Sequence, residues 1–246
     1  MLLIQPVKHG YWSKARYKDG MVMNDQGLSL EQQPDTARPG KRKRNAKATR
    51  DEILAAATDE FAEKGLAGAR VEEIASRTAT SKHMIYYHFS SKEGLYTAVL
   101  ERAYAEFRLA EGGTDYDAME PMEALAALVG TTFDIHANHP QIVRIIMAEN
   151  INRGVNIAAL DSFEQRELAL ATMRHILERG AQEGSFRPAL DPLQIHLSVS
   201  ALCFHYIANV HTFGHVFGLA AHDPLELARR RQEVIETIIS RCSSTD

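Results

Sequence analysis

The densest group of chemically able side chains is the run ATSKHMIYYHFSSKE, residues 79–93, where His83, Tyr86, Tyr87, His88 and Phe89 crowd between Lys82 and Lys92. Hydroxyls, imidazoles and ammonium groups beside aromatic rings make a surface able to donate to phosphate oxygens and to meet base edges. On a helix these residues separate into two sides. Ile85 and Phe89, four apart, form an apolar anchor, whereas Ser81, Lys82, His83 and Tyr87 qualify for base edges and Met84 fits either side. Tyr86, His88 and Lys92 carry polar tips suited to phosphates. A second polyanion signal lies upstream in KRKRNAKATR, residues 41–50, with six positive charges and no acid. Two readings of it stay open, a solvated linker and an arm, Arg44 included, that tracks phosphates or enters a minor groove.

The net charge of -4 divides unevenly along the chain. Residues 41–95 hold 11 Lys or Arg against 8 acids, while 96–246 hold 12 against 20. A basic segment beside an acidic one suits a polyanion-binding head on a body that does not itself adhere, although ordinary surface charge gives the same totals. Only Cys203 and Cys242 are present, which excludes a disulfide framework and fits reduced thiols in the cytoplasm. The opening MLLI is cut short by Gln5 and Lys8, and the apolar stretch around 195–219 is broken by four histidines and an asparagine, so neither a signal peptide nor a membrane span is expected.

The elements that must position these residues read as helices. Residues 1–40 show no sustained period and are expected to be a flexible leader, with Met1, Met21 or Met23 as the start. Thr49 and Glu52 form a capping box, so a helix is predicted to begin there; Ile53, Leu54, Ala57 and Phe61 give its apolar side and Lys64-Gly65 its end. Val71, Ile74 and Ala75 mark a short second helix, and a third runs from Ser81 to about His88. Ser90 and Glu93, another capping box, open a fourth towards Phe107. Beyond residue 112 the predicted helices cover 119–138, Pro140 to Ile151, 161–183, 192–217 and 223–242. No stretch alternates with a period of two, so the fold class is all-α.

Two short helices joined by a tight turn, the second bearing exposed polar and aromatic residues, are what a helix-turn-helix DNA reader needs. SKHMIYYHFSSKEGLY, with the upstream TRDEILAAATDEFAEKGLAGARVEEIA, resembles the DNA-binding domain of the TetR family of bacterial transcriptional regulators. The likeness covers roughly 49–107. It implies a three-helix DNA-binding domain within 41–95, a larger ligand-binding and dimerisation domain over 96–246, and a regulator, most often a repressor, that binds a palindromic operator as a homodimer. The candidate DNA contacts are then Arg44, Thr49, Arg70, Thr80, Ser81, Lys82, His83, Tyr86, Tyr87, His88 and Lys92. Two positions depart from the family pattern. Ala69 replaces a hydroxyl residue that caps the second helix and touches phosphate, leaving that contact to Arg70, and Ala79 stands where Gly is usual, a costly change if the backbone there is left-handed.

For the body the resemblance implies a small-molecule effector among the middle helices, at Tyr104, Phe107, Phe133, Met147, Asn150, Met173, Phe204 and His205, and dimer contacts through 192–217 and 223–242. Glu149 draws interest beside Asn150 because both follow an apolar run. The body also resembles the subset that includes the uracil-responsive regulator of pyrimidine use, through G-A-R-V-E-E-I-A and the helix layout. His136 with His139, and His211 with His215, have spacings that place two imidazoles on one helix face, the start of a metal site. No H-E-x-x-H or cysteine pair completes either, so neither metal nor cofactor is expected. The absence of G-x-S-x-G, Walker and G-x-G-x-x-G motifs argues against an enzyme. A nucleoid-type binder without ligand control is the remaining rival.

Overall fold

A computed structural model describes residues 39–160, 163–220 and 222–244, with side chains except at 39–46, 108–112, 159 and 163–169. The expected leader, apart from its last two residues, and the alternative starts lie outside this range. Helices are the rule: α1 Pro39–Gly68, α2 Val71–Ser76, α3 Lys82–Phe89, α4 Lys92–Gly112, α5 Pro121–Asn138, α6 Pro140–Ile151, α7 Phe163–Gln182, α8 Pro192–Ala208, α9 Val210–Phe217 and α10 Pro224–Cys242. Among the described residues the only extended pairing is an isolated bridge between Phe186 and Ser243, and no helix is long and apolar enough to cross a membrane.

Helix α1 begins at Pro39, so Thr49 lies inside it and its capping box does not start a helix. Pro at a first turn has its φ preset, and the Lys, Arg and Ala that follow are good helix formers, so the earlier start prevails. The Lys64-Gly65 end is as expected, for Gly65 leaves helical geometry at φ 66. Ser90 does not open α4. It sits at φ 65 as the end of α3, and Ser91 caps α4 instead, its hydroxyl accepting from the Gly94 amide at 2.9 Å. The expected helix over 192–217 is two helices. At the break, the Asn209 side chain donates to the His205 carbonyl at 2.8 Å, satisfying it from the side, and α9 starts afresh one residue later.

Ile53, Leu54, Ala57 and Phe61 of α1 meet Val71 and Ile74 of α2, Ile85 and Phe89 of α3, and Leu95, Tyr96, Val99 and Leu100 of α4 in one core. The anchor pair predicted for α3 is thus buried, Ile85 at 1% and Phe89 at 6% exposure, each contributing about 1.5–3 kcal/mol. Ile145 of α6 belongs to the same core, so this head packs directly against the body. The body surrounds α5, which contacts α4, α7, α8 and α10. Arg231 of α10 reaches Asp134 of α5 at 2.9 Å, crossing Gly130, where any side chain would overlap its guanidinium.

One charged group lies within the head core. Glu60 of α1 is fully buried, and it accepts from Lys64 at 2.9 Å and from the Arg70 amide at 3.2 Å, while Arg77 approaches its other oxygen at 3.0 Å. Arg70 and Arg77 flank α2, so a single carboxylate holds both ends of that six-residue helix. Burial alone would raise the Glu60 pKa; the hydrogen bonds from Lys64 and Arg70 and the charges of Lys64 and Arg77 outweigh it and hold the group below the ordinary 4.5. A carboxylate with a depressed folded pKa contributes stability that is present above its unfolded value and is lost as pH falls through the folded one. Thermal unfolding between pH 7 and pH 3 is expected to show the wild type losing stability below about pH 4.5. Glu60→Gln should start less stable at pH 7 and decline less steeply across that window.

Candidate nucleic-acid interface

Helix α3 is capped by Ser81, whose hydroxyl accepts from the Met84 amide at 3.3 Å. With Ile85 and Phe89 facing inward, Ser81, Lys82, His83, Met84, Tyr86 and Tyr87 are exposed, Tyr87 at 75%, and His88 is half-buried. Met84 therefore joins the outward side. The preceding turn, residues 77–81, runs without a left-handed residue, so Ala79 carries no backbone penalty there. Thr78 steadies this turn by donating to the Ile74 and Ala75 carbonyls, both at 3.2 Å.

The far end of α3 is fixed by backbone geometry. Ser90, at φ 65 and ψ -44, lets the Ser91 amide donate back to the Phe89 carbonyl at 2.7 Å, a tight turn that is strained for any residue with a side chain. That carbonyl lies against Gly94, where a Cβ would overlap it. Gly94 is therefore the residue that lets the reading helix approach α4 this closely. Arg50 of α1 lays its guanidinium 5.1 Å from the Phe89 ring centroid, putting an exposed cation beside the end of α3. Sequence reasoning passed over Arg50; its place in the basic run was visible, but its proximity to Phe89 depends on α1 being helical there.

The cations among the predicted DNA contacts, Lys82 for base edges and Lys92 and Arg70 for phosphate, differ in their partners. Lys82 pairs with Glu72 of α2 and lies 5.8 Å from the Tyr86 ring, so an acid shares the outward side and is held below the usual carboxylate range by the Lys82 hydrogen bond. Lys92 donates to the Ala67 and Ala69 carbonyls at 3.4 and 3.3 Å, joining the start of α4 to the end of α1. Arg70 is exposed at the start of α2, Thr80 is half-buried in the turn, and Thr49 is half-buried on α1. No side chain caps α2 in place of the hydroxyl missing at Ala69; its N-cap is Arg70, whose own amide donates to Glu60 at 3.2 Å. Arg44 lies on α1, with its side chain outside the described residues.

In the body, the structure gathers some effector candidates and disperses others. Tyr104, Phe107 and Phe204 pack around Ala103, Ile142 and Ile146. Between Phe107 and Phe204 sits His136, with ring centroids 5.0 and 6.0 Å away. The His136 Nδ1 meets the Thr132 carbonyl at 2.7 Å, and burial holds its pKa below 6.5, so it is neutral at pH 7. Phe133 and Met173 lie in the body core at 1% exposure, with Met147 packed against it. Asn150 and His205 are exposed and stand apart from the aromatic group; Asn150 donates to its own helix at Ile146. Glu149, instead of facing a ligand, is buried and bonded within the chain. Two clefts among the described residues are lined elsewhere, one of about 340 Å³ beside Asp117 and His175 and one of about 250 Å³ beside Arg174 and Arg187. His211 stacks near His222 at 5.0 Å, but among the described residues no three His, Cys, Asp or Glu are placed to hold a metal.

A small helical head that presents the outward side of α3, with a larger helical body packed behind it, defines a helix-turn-helix DNA-binding protein. Known proteins agree. The family described as "Bacterial regulatory proteins, tetR family" matches residues 53–99, and "Tetracyclin repressor-like, C-terminal domain" matches residues 121–238. The HTH-type transcriptional repressor NicS of Pseudomonas putida is 37% identical over 180 residues, or 72% of this chain and 84% of that protein. The HTH-type transcriptional regulator RutR of Escherichia coli K12 is 30% identical over 168 residues, 68% of this chain and 77% of its own. A solved transcriptional regulator from Streptomyces coelicolor superposes with a TM-score of 0.60 at 25% identity, spanning 79% of this chain and 98% of that one. The chain belongs to the TetR family and is a DNA-binding regulator of transcription, not an enzyme.

The Gly94 contact gives a direct test of how the interface is positioned. Gly94→Ala should destabilise the protein by about 1–3 kcal/mol, because the Phe89 carbonyl is backbone and cannot swing aside. Urea unfolding measures that loss, and DNA binding at a temperature where the variant remains folded should also weaken.

Proposed function

We propose that this chain is a cytoplasmic repressor that binds a palindromic operator as a homodimer and whose operator affinity changes when a small molecule occupies its body. The carrying observation is α3 itself, anchored by Ile85 and Phe89 while Ser81, His83, Met84 and Tyr87 remain exposed. That division supports a helix docked in a major groove, which at about 12 Å wide admits one helix. The head comprises 41–95 and the body 96–246, with α4 continuous between them. Arg44, Thr49, Arg70, Tyr86, His88 and Arg50 serve the phosphate backbone, Lys92 joins them when DNA competes with the Ala67 and Ala69 carbonyls, and Lys82 reaches base edges when DNA competes with Glu72.

Dimerisation through 192–217 and 223–242 is supported by large apolar side chains left exposed there, Leu193 and Leu197 on α8, Val216 and Phe217 on α9 and Leu225 on α10. A second copy of the same surface covers them by two-fold symmetry. The effector site lies where Phe107 and Phe204 flank His136, with Tyr104 packed in the same apolar cluster, which offers an apolar wall with a hydrogen-bonding ring in it.

Selection of bound duplexes from a random pool tests the reading. It should recover a palindrome whose half-sites lie about one helical turn, ~34 Å, apart, with affinity falling steeply as salt rises. Failure to enrich any half-site, with equal affinity for all duplexes, would favour a nucleoid-type binder. Tyr87→Ala should cost about 1–3 kcal/mol of operator affinity and relax preference at one base position. Its unfolding free energy should stay within about 0.5 kcal/mol of wild type, as expected for so exposed a side chain.

A further inference from the structure

An acid on the outward side of a DNA-binding head opposes phosphate, so its presence calls for a reason. Glu72 stands in the first turn of α2 with its side chain 60% exposed, and it accepts from the Nζ of Lys82, the first residue of α3, itself 49% exposed. Both charges therefore lose water when a duplex covers this side. The Lys82 ammonium also lies 5.8 Å from the Tyr86 ring centroid, so a ring and a carboxylate together hold it at the start of the reading helix. Residues at the N-terminal end of such a helix are the ones that meet base edges. Glu73, next along α2, is exposed as well, but its carboxylate has no hydrogen bond or ion pair among the described residues. Pairing with a cation of α3 thus sets Glu72 apart from its neighbour.

We propose that Glu72 is a specificity-determining residue: with Lys82 it makes each head prefer a G·C pair at one position of its half-site and hold duplexes that lack that pair weakly. The proposal rests on the regulator reading above. A duplex that covers the two side chains strips water from both, and each charge then keeps the other or needs a new partner. A phosphate satisfies the ammonium alone and leaves the carboxylate beside a polyanion. In the major groove a G·C pair shows two neighbouring acceptors, guanine N7 and O6, followed by a donor, the cytosine N4 amino group. The ammonium donates to the guanine atoms and the carboxylate accepts from the cytosine amino group, so both charges are answered within one base pair. An A·T pair also offers a donor, but a single acceptor stands on each side of it and the thymine methyl crowds one, so the ammonium loses one of its two bonds. Glu72 raises selectivity in two ways, through a contact to one base pair and through repulsion wherever that pair is absent.

Selection from a random pool with full-length wild type should yield half-sites that carry a G·C pair at one position. Glu72→Ala should lower the preference for that pair about tenfold, the scale of one base contact. Its affinity for random duplex should rise, with log K falling more steeply against log salt by about 0.9, because the freed ammonium takes a phosphate. Lys82→Met should lose the preference at the same position while binding random duplex no more tightly than wild type. The double variant should lose no more than the larger single loss, because both side chains act on one base pair. Glu73→Ala removes the same charge without touching Lys82 and should leave the preferred base unchanged. An unchanged preference in Glu72→Ala, an equal fall in its affinity for every duplex, or the same change of base preference from Glu73→Ala would overturn the proposal. A wild-type pool with no enriched half-site would instead overturn the regulator reading itself.

Discussion

Glu60 is held by Lys64, by the Arg70 amide and by Arg77, and the geometry of the DNA-reading surface follows from that arrangement. Helix α2 has six residues, too few to persist unaided, so its position must come from outside itself. A carboxylate on α1 that engages both ends of α2 supplies it. The turn after α2 then starts from a defined point, and α3 can settle with Ile85 and Phe89 in the core. Charge in a hydrophobic interior is ordinarily a liability; here two hydrogen-bond donors and the paired Arg77 guanidinium convert it into a locating pin.

Head and body are joined by more than the continuity of α4. Ile145 places α6 within the head core, and Leu160, at the end of the loop that follows α6, packs against the same core. Effector candidates Tyr104 and Phe107 lie on the same α4 that carries Tyr96, two to three turns further on, so occupancy of the body and orientation of the head bear on one rod.

Much of this was legible in the sequence where the signal is local. The i, i+4 pair Ile85 and Phe89, the Ser81 start, the Gly65 stop and the proline starts of α6 and α10 all rest on neighbours a few residues apart. Signals that compete locally were harder. Thr49 and Ser90 each satisfy a capping pattern, yet Pro39 and Ser91 take those roles, and Asn209 breaks a helix that its apolar period alone would continue. Least legible were side chains whose partners come from distant parts of the chain. Nothing near Glu60 announces Arg70 and Arg77, Lys92 gives no hint of the Ala67 and Ala69 carbonyls, and Glu149 reads as a ligand contact until Asn156 and Ile157 are seen around it. For the effector candidates, composition found the aromatic residues but could not say that Phe107 and Phe204 would meet at His136 while Asn150 and His205 would not.

The helical start of α1 at Pro39 changes what the basic run can reach. Coiled as helix, the ten residues before Thr49 advance about 15 Å, whereas extended they would span about 33 Å. Were this run to follow a minor groove, those turns would have to unwind, and that contact would be coupled to a local helix–coil transition. Binding by the full arm then carries an entropic and calorimetric signature of refolding that a preformed extended arm would lack, and its strength would respond to temperature and to helix propensity as well as to charge.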